Sequence, residues 1–202
     1  KVHLEAGRFA RLGYTIVLIG HRDHDEVAGT LGEAPDSTVV ISSVEEVDRL
    51  APADPERVAY LTQTTLSLDE TRDIVARLRE RFPAIVGPPA QDICYATENR
   101  QEAVKAAAGA CDALIVVGSQ NSSNSKRLVE VCRNYGVPAY LVDDAGQVNP
   151  EWLQTAQTVA LTAGASAPEY LVRQLVEYLR TKGFTELEEL SLKEEDVRFT
   201  LP

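Results

Sequence analysis

Short apolar runs alternate with amphipathic stretches along the whole chain. Runs at 14–19, 38–42, 57–62, 84–87, 113–117, 138–142 and 157–162 read as strands. Stretches at 1–12, 25–31, 44–50, 67–81, 98–110, 123–135, 149–156 and 167–182 read as helices. Val39-Val40-Ile41 and Leu114-Ile115-Val116-Val117 are continuous rather than alternating. Such strands are buried on both faces, which predicts parallel sheets with right-handed helical crossovers. The expected fold class is α/β.

The pattern also repeats. Val17-Leu18-Ile19-Gly20, Val39-Val40-Ile41 and Ala59-Tyr60-Leu61-Thr62 return as Ile115-Val116-Val117-Gly118, Ala139-Tyr140-Leu141-Val142 and Val159-Ala160-Leu161-Thr162. Two similar α/β domains are expected, at 1–90 and 91–183, with their strand C-termini on a shared cleft. Residues 184–202 are expected to form an acidic tail ending in a short strand.

Composition narrows the partners. The 202 residues are 44% hydrophobic and 25% charged, ordinary for a globular protein, with a net charge of −11. That charge argues against a nucleic-acid groove, so any anion site must be local. There is no apolar stretch near membrane-spanning length and no basic-then-apolar start, so neither a span nor a signal peptide is expected. A cytoplasmic location is expected, with a plastid address left open. Cys94, Cys111 and Cys132 show no Cys-x-x-Cys spacing and no disulfide framework.

The loop Gly118-Ser119-Gln120-Asn121-Ser122-Ser123-Asn124-Ser125 lies between a buried strand and a helix. Ligands bind at such junctions in α/β sheets, and N–H groups at a helix start favour an anion. Its hydroxyls and carboxamides add neutral donors. The third strand of each domain ends in a small or hydroxyl-rich turn, Thr62-Gln63-Thr64-Thr65 and Thr162-Ala163-Gly164-Ala165-Ser166. Ser67…Glu70 and Ser166…Glu169 both fit a capping box. His21-Arg22-Asp23-His24-Asp25-Glu26 follows the first strand, where His24 or Glu26 suits acid–base work or substrate contact and metal ligation stands as the alternative. Cys94 precedes a helix, a setting that favours thiolate. Cys111 and Cys132 read as core.

These segments resemble a known family. Ile19-Gly20-His21-x-x-His24-x-Glu26, Thr62-Gln63-Thr64-Thr65-Leu66-Ser67, Asp92-Ile93-Cys94-Tyr95-Ala96-Thr97, the serine–asparagine loop after Gly118, and Thr162-Ala163-Gly164-Ala165-Ser166-Ala167-Pro168 occur in that order. Together they are similar to the 4-hydroxy-3-methylbut-2-enyl diphosphate reductases, iron–sulfur enzymes that complete the methylerythritol phosphate route to isoprenoids. The resemblance implies two domains of a three-domain trefoil around a [4Fe-4S] cluster held by three cysteines. It implies reductive loss of the substrate's hydroxyl as water, giving isopentenyl and dimethylallyl diphosphate. It implies Cys94 as a cluster ligand, Glu26 as proton relay, and His24 and Thr64 as its supports and substrate contacts. Ser122, Ser123, Asn124 and Ser166 would hold the diphosphate, and ferredoxin or flavodoxin would supply electrons. The family's first domain, with two cluster cysteines, has no counterpart in these residues, so this chain alone is expected to be inactive. The competing reading is a non-redox α/β module that binds a phosphorylated small molecule.

Overall fold

A computed structural model describes residues 2–88 and 95–190, and the chain divides into two compact units, 1–94 and 95–202. Cys94 and the expected terminal strand lie outside the described residues.

In the first unit, helix α1 (Val2–Arg11) leads into β1 (Thr15–Ile19), α2 (Asp25–Glu33), β2 (Thr38–Ile41), α3 (Val44–Val47), β3 (Val58–Thr62) and α4 (Leu68–Arg81). The second unit runs α5 (Tyr95–Ala108), β4 (Ala113–Val117), α6 (Ser123–Asn134), β5 (Ala139–Val142), β6 (Val159–Ala163) and α7 (Glu169–Thr181). Both sheets are parallel, with orders β2-β1-β3 and β5-β4-β6. The first strand of each unit is therefore central, buried on both faces as its unbroken apolar run requires.

Alternate residues feed opposite layers. Ile16 and Leu18 pack with Val2, Ala6 and Phe9 of α1 and Val27 of α2, whereas Val17 and Ile19 pack with Val47 of α3 and Ile74 and Leu78 of α4. In the second unit Leu114 and Val116 meet Val104 of α5 and Leu128 of α6, while Ile115 and Val117 meet Leu175 and Leu179 of α7. Each fully buried Leu or Ile is worth about 1.5–3 kcal/mol, so these two-sided strands are the main fixed points of each unit.

Three local expectations need correction. Among the described residues, the run at 84–87 makes one bridge, Ala59 to Val86, and Pro83 and Pro88, which flank it, supply no N–H to extend a ladder. The stretch at 149–156 is a single 3₁₀ turn, Pro150–Leu153, capped by the Asn149 side chain. Ser166 does not cap α7: the N-cap is Pro168, with no side-chain bond, and Glu169 pairs with Arg173 instead. Ser67 does cap α4, its hydroxyl accepting from Glu70 N at 3.5 Å. Among the described residues, no helix is long and apolar enough to cross a membrane.

Candidate functional site

Two strand-to-helix turns carry most of the singled-out residues, one in each unit. In the first, Gly20 N donates to Ile41 O at 2.9 Å and Gln63 N donates to Ile19 O at 2.9 Å. The chain then turns through His21 to His24, the N-cap of α2, whose ring nitrogen Nδ1 accepts from Glu26 N at 3.2 Å. A backbone N–H can only donate, so Nδ1 carries the lone pair and a neutral ring holds its proton on Nε2. Glu26 sits in the first turn of α2, half-buried. Its Oε1 accepts from Thr64 N at 3.0 Å and its Oε2 accepts from Thr64 Oγ1 at 3.0 Å. Thr64 thus spends its proton on the carboxylate and keeps lone pairs for a third group. Sequence reasoning grouped Glu26, His24 and Thr64, and they are adjacent here.

Gln63, to which the sequence assigns no role, is 1% exposed and ties this turn together. Its Oε1 accepts from His21 N at 3.0 Å, and its Nε2 donates to Thr65 Oγ1 at 3.0 Å. Gly20 lets this happen: a Cβ there would lie 2.6 Å from Val27 Cγ2 and 3.2 Å from Gln63 Oε1. Crowding of Thr62-Gln63-Thr64-Thr65 with side chains that hydrogen-bond locally was the available signal.

The second unit repeats the backbone. Gly118 N donates to Val142 O at 2.9 Å and Gly164 N to Val117 O at 2.8 Å. Ser122 is the N-cap of α6, four residues after the glycine as His24 is after Gly20. Its Oγ accepts from Ser125 N at 3.3 Å and from Ser125 Oγ at 3.0 Å. Ser123 is half-buried at the first helical position. Asn124 follows it, 8% exposed, and neither its Nδ2 nor its Oδ1 has a hydrogen-bond partner. Ser125, which carried no assigned role, fills the gap between two glycines. A Cβ on Gly118 would lie 2.2 Å from Ser125 Oγ, and one on Gly164 would lie 2.1 Å from it. Ser166 is exposed on the turn between Gly164 and α7.

This arrangement offers an anion neutral donors at the start of a three-turn helix. An unsatisfied buried carboxamide costs roughly 1–3 kcal/mol, a cost that a ligand able to use its Nδ2 and Oδ1 would remove.

A metal cluster finds less here. Among the described residues, no group of three His, Cys, Asp or Glu side chains could hold a metal ion. Cys132 is buried, and burial, reinforced by Cys111 nearby and opposed by Arg133, pushes its thiol up to about 11. Burial pushes the Cys111 thiol up as well. Cys132 packs in the core with Leu128 and Val131, as expected, whereas Cys111 is half-buried and lies outside the core clusters. The described residues therefore do not make a [4Fe-4S] site, and Cys94 lies outside them.

Comparison with known proteins shows the family. A family profile described as LytB protein matches residues 1–180. The 4-hydroxy-3-methylbut-2-enyl diphosphate reductase of Ralstonia nicotianae is 52% identical over the whole chain, which covers 62% of that protein. The enzyme of the same name from Rhodococcus jostii is 54% identical over the whole chain, covering 60% of that protein. The solved structure of the E-1-hydroxy-2-methyl-but-2-enyl-4-diphosphate reductase from Plasmodium falciparum matches with a TM-score of 0.92 at 38% identity, over 100% of this chain and 64% of that one. The chain thus spans about three-fifths of the length of the curated relatives it matches, and it belongs to the LytB protein family.

Proposed function

We propose that this chain is part of a 4-hydroxy-3-methylbut-2-enyl diphosphate reductase, which removes the hydroxyl of an allylic diphosphate as water. The products would be isopentenyl and dimethylallyl diphosphate. The observation that carries the reading is Asn124: a buried carboxamide beside the capping serine of α6, whose Nδ2, a donor that an anion can use, has no partner. Asn124, Ser122, Ser123 and Ser166 bind the diphosphate oxygens through neutral donors, which suits a chain of net charge −11.

The first unit handles protons. Glu26, joined to Thr64 Oγ1, delivers the proton that turns a departing hydroxide into water. Thr64 supports that relay through its bond to Oε2, and His24 supports it by fixing the Glu26 backbone through its cap. Electrons come from a carrier such as ferredoxin or flavodoxin in a cytoplasmic setting. In the complete protein a [4Fe-4S] cluster supplies the redox centre, with Cys94 as one ligand and the rest of its site outside these residues. The domain limits 1–90, 91–183 and 184–202, as two members of a trefoil, belong to the same proposal.

The test uses the full-length protein, purified without oxygen and supplied with reductant. Conversion of the hydroxylated allylic diphosphate to the two isomeric products is expected, and the 202-residue chain alone is expected to show none. Binding of the diphosphate with no reduction by the full-length protein would sink the reading in favour of a non-redox binding module.

A further inference from the structure

The neighbouring threonines of the β3 turn are wired in opposite senses. Thr64 Oγ1 donates to Glu26 Oε2, so lone pairs remain on its outer side. Thr65 Oγ1 accepts from Gln63 Nε2. The direction of that second bond is not a matter of choice. His21 N–H can only donate, so the carboxamide must turn its oxygen to His21 and its NH₂ to Thr65. An NH₂ can only donate, so Thr65 must accept and send its own proton elsewhere. Among the described residues, that proton has no other partner. A chain of forced polarity thus runs from the backbone of the β1 turn, through a fully buried side chain, to a hydroxyl one residue from Thr64.

The fold singles out this position. Its counterpart in the second unit is Gly164, the residue that likewise donates its N–H to the last residue of the central strand. Gln63 therefore fills a place that the repeat does not require to be filled. It also links the two segments that carry Glu26 and Thr64, which Glu26 itself joins by only two bonds.

We infer that Gln63 is a positioning residue for the reductase, holding the β1 and β3 turns in register and fixing Thr65 as a hydroxyl that donates outward, toward the substrate's oxygen. The inference rests on the reductase reading for its kinetic consequence, though not for the clamp itself. Gln63 touches no reacting atom; it acts through Thr65 and the His21 turn.

Gln63→Glu separates the two parts of this role in the full-length enzyme. The carboxylate keeps the shape and still accepts from His21 N–H, but it takes a proton from Thr65 rather than giving one. Thr65 then points its proton inward. The expected result is a loss of about 10- to 100-fold in kcat/KM at neutral pH, the range for a hydrogen bond to a charged group. Activity should recover as pH falls and the new carboxyl gains a proton to give back to Thr65. His21, Arg22, Asp23, His24, Asp25 and Glu26, the titratable or charged groups on the paired turn, are common to both proteins, so the difference between the two pH profiles reports position 63. In a Thr65→Val background the same Gln63→Glu change should add little, since the hydroxyl it reverses is gone. Amide exchange at His21 should stay slow in Gln63→Glu and quicken in Gln63→Ala. The inference is overturned if Gln63→Glu matches an active wild type at every pH, if its deficit is undiminished in Thr65→Val, or if His21 exchange ignores Gln63→Ala. An inactive wild type would count against the reductase reading instead, and the exchange measurement would still decide the clamp.

Discussion

The turn after β1 and the turn after β4 share one backbone and differ in what fills it. Each begins at a glycine bonded to the neighbouring strand and ends four residues later at a helix cap. His24, Asp25, Glu26 and Val27 occupy the first; Ser122, Ser123, Asn124 and Ser125 occupy the same places in the second. Across from them stand Gln63, Thr64 and Thr65 in one unit and Gly164, Ala165 and Ser166 in the other. The first turn is closed by its own side chains, with both Glu26 carboxylate oxygens bonded to Thr64. In the second, the room left by two glycines is filled by Ser125, and the Asn124 side chain has no hydrogen-bond partner. In the proposed function, one frame serves as a proton-handling pair when filled with an acid, and as a cradle for an anion when filled with neutral donors. Side-chain volume and charge, not backbone path, decide which.

The largest test of that contrast is Glu26→Gln in the full-length enzyme. Glutamine can keep the bond to Thr64 N but has no proton to transfer, and its NH₂ would reverse the polarity of Thr64. A fall in kcat of about 10²- to 10⁴-fold is expected, as for loss of a general acid. KM should change little, because the diphosphate is assigned to the other turn. A large rise in KM with kcat intact would erase the division of labour between the units.

Asn124→Leu probes the other side. Removing two unsatisfied buried atoms at similar volume should leave the ligand-free protein as stable or more so, by up to about 1–3 kcal/mol. Substrate KM should rise at least about tenfold, the worth of one good hydrogen bond. Thermal unfolding without ligand and steady-state kinetics read the two effects separately. A less stable variant with unchanged KM would mean that Asn124 is a core residue and the cradle is not open.

Much of this contrast could be read from residues alone, and the misses have physical causes. The strands were legible because two-sided burial demands unbroken apolar runs such as Leu114-Ile115-Val116-Val117. The first-turn acid was legible because His24 and Glu26 follow a strand directly. The repeat was legible too, but its third strand was aligned one residue out. Ile19 pairs with Thr62 while Val117 pairs with Ala163, so Gln63 matches Gly164 and Thr65 matches Ser166. Register is set by hydrogen bonds that sequence spacing does not show. Ser166 misled as a cap because capping depends on where the helix starts, and Pro168 moved that start. Ser125 was invisible because its task is to occupy space between two glycines, which only coordinates display.

Gly164→Ala and Gly118→Ala sharpen that last point. Each new Cβ would press on Ser125 Oγ, at 2.1 and 2.2 Å, and each should cost about 1–3 kcal/mol from overpacking. The rescue differs. Ser125→Ala removes the hydroxyl and leaves Ser125 Cβ 3.4 Å from the Gly164 methyl but 2.8 Å from the Gly118 methyl. Adding Ser125→Ala should therefore restore the melting temperature of Gly164→Ala much more than that of Gly118→Ala. Equal rescue would show that the serine is not wedged as described.

The smallest effect concerns the thiols of the second unit. If that unit is the neutral half, Cys132 must stay protonated at ordinary pH. Burial lifts it from 9.0 to about 11, with Cys111 adding to the lift. Between those values the unfolded chain has released the proton while the folded chain keeps it. Stability thus falls as pH rises through that window, because the folded state binds more protons than the unfolded one. Peptide mapping after iodoacetamide treatment should find Cys132 unmodified at pH 8 in the folded protein and labelled only at strongly alkaline pH or after denaturation. Prompt labelling at pH 8 without unfolding would place a thiolate in the second unit, and the contrast between an ionised turn and a neutral one would no longer divide the two halves of the chain.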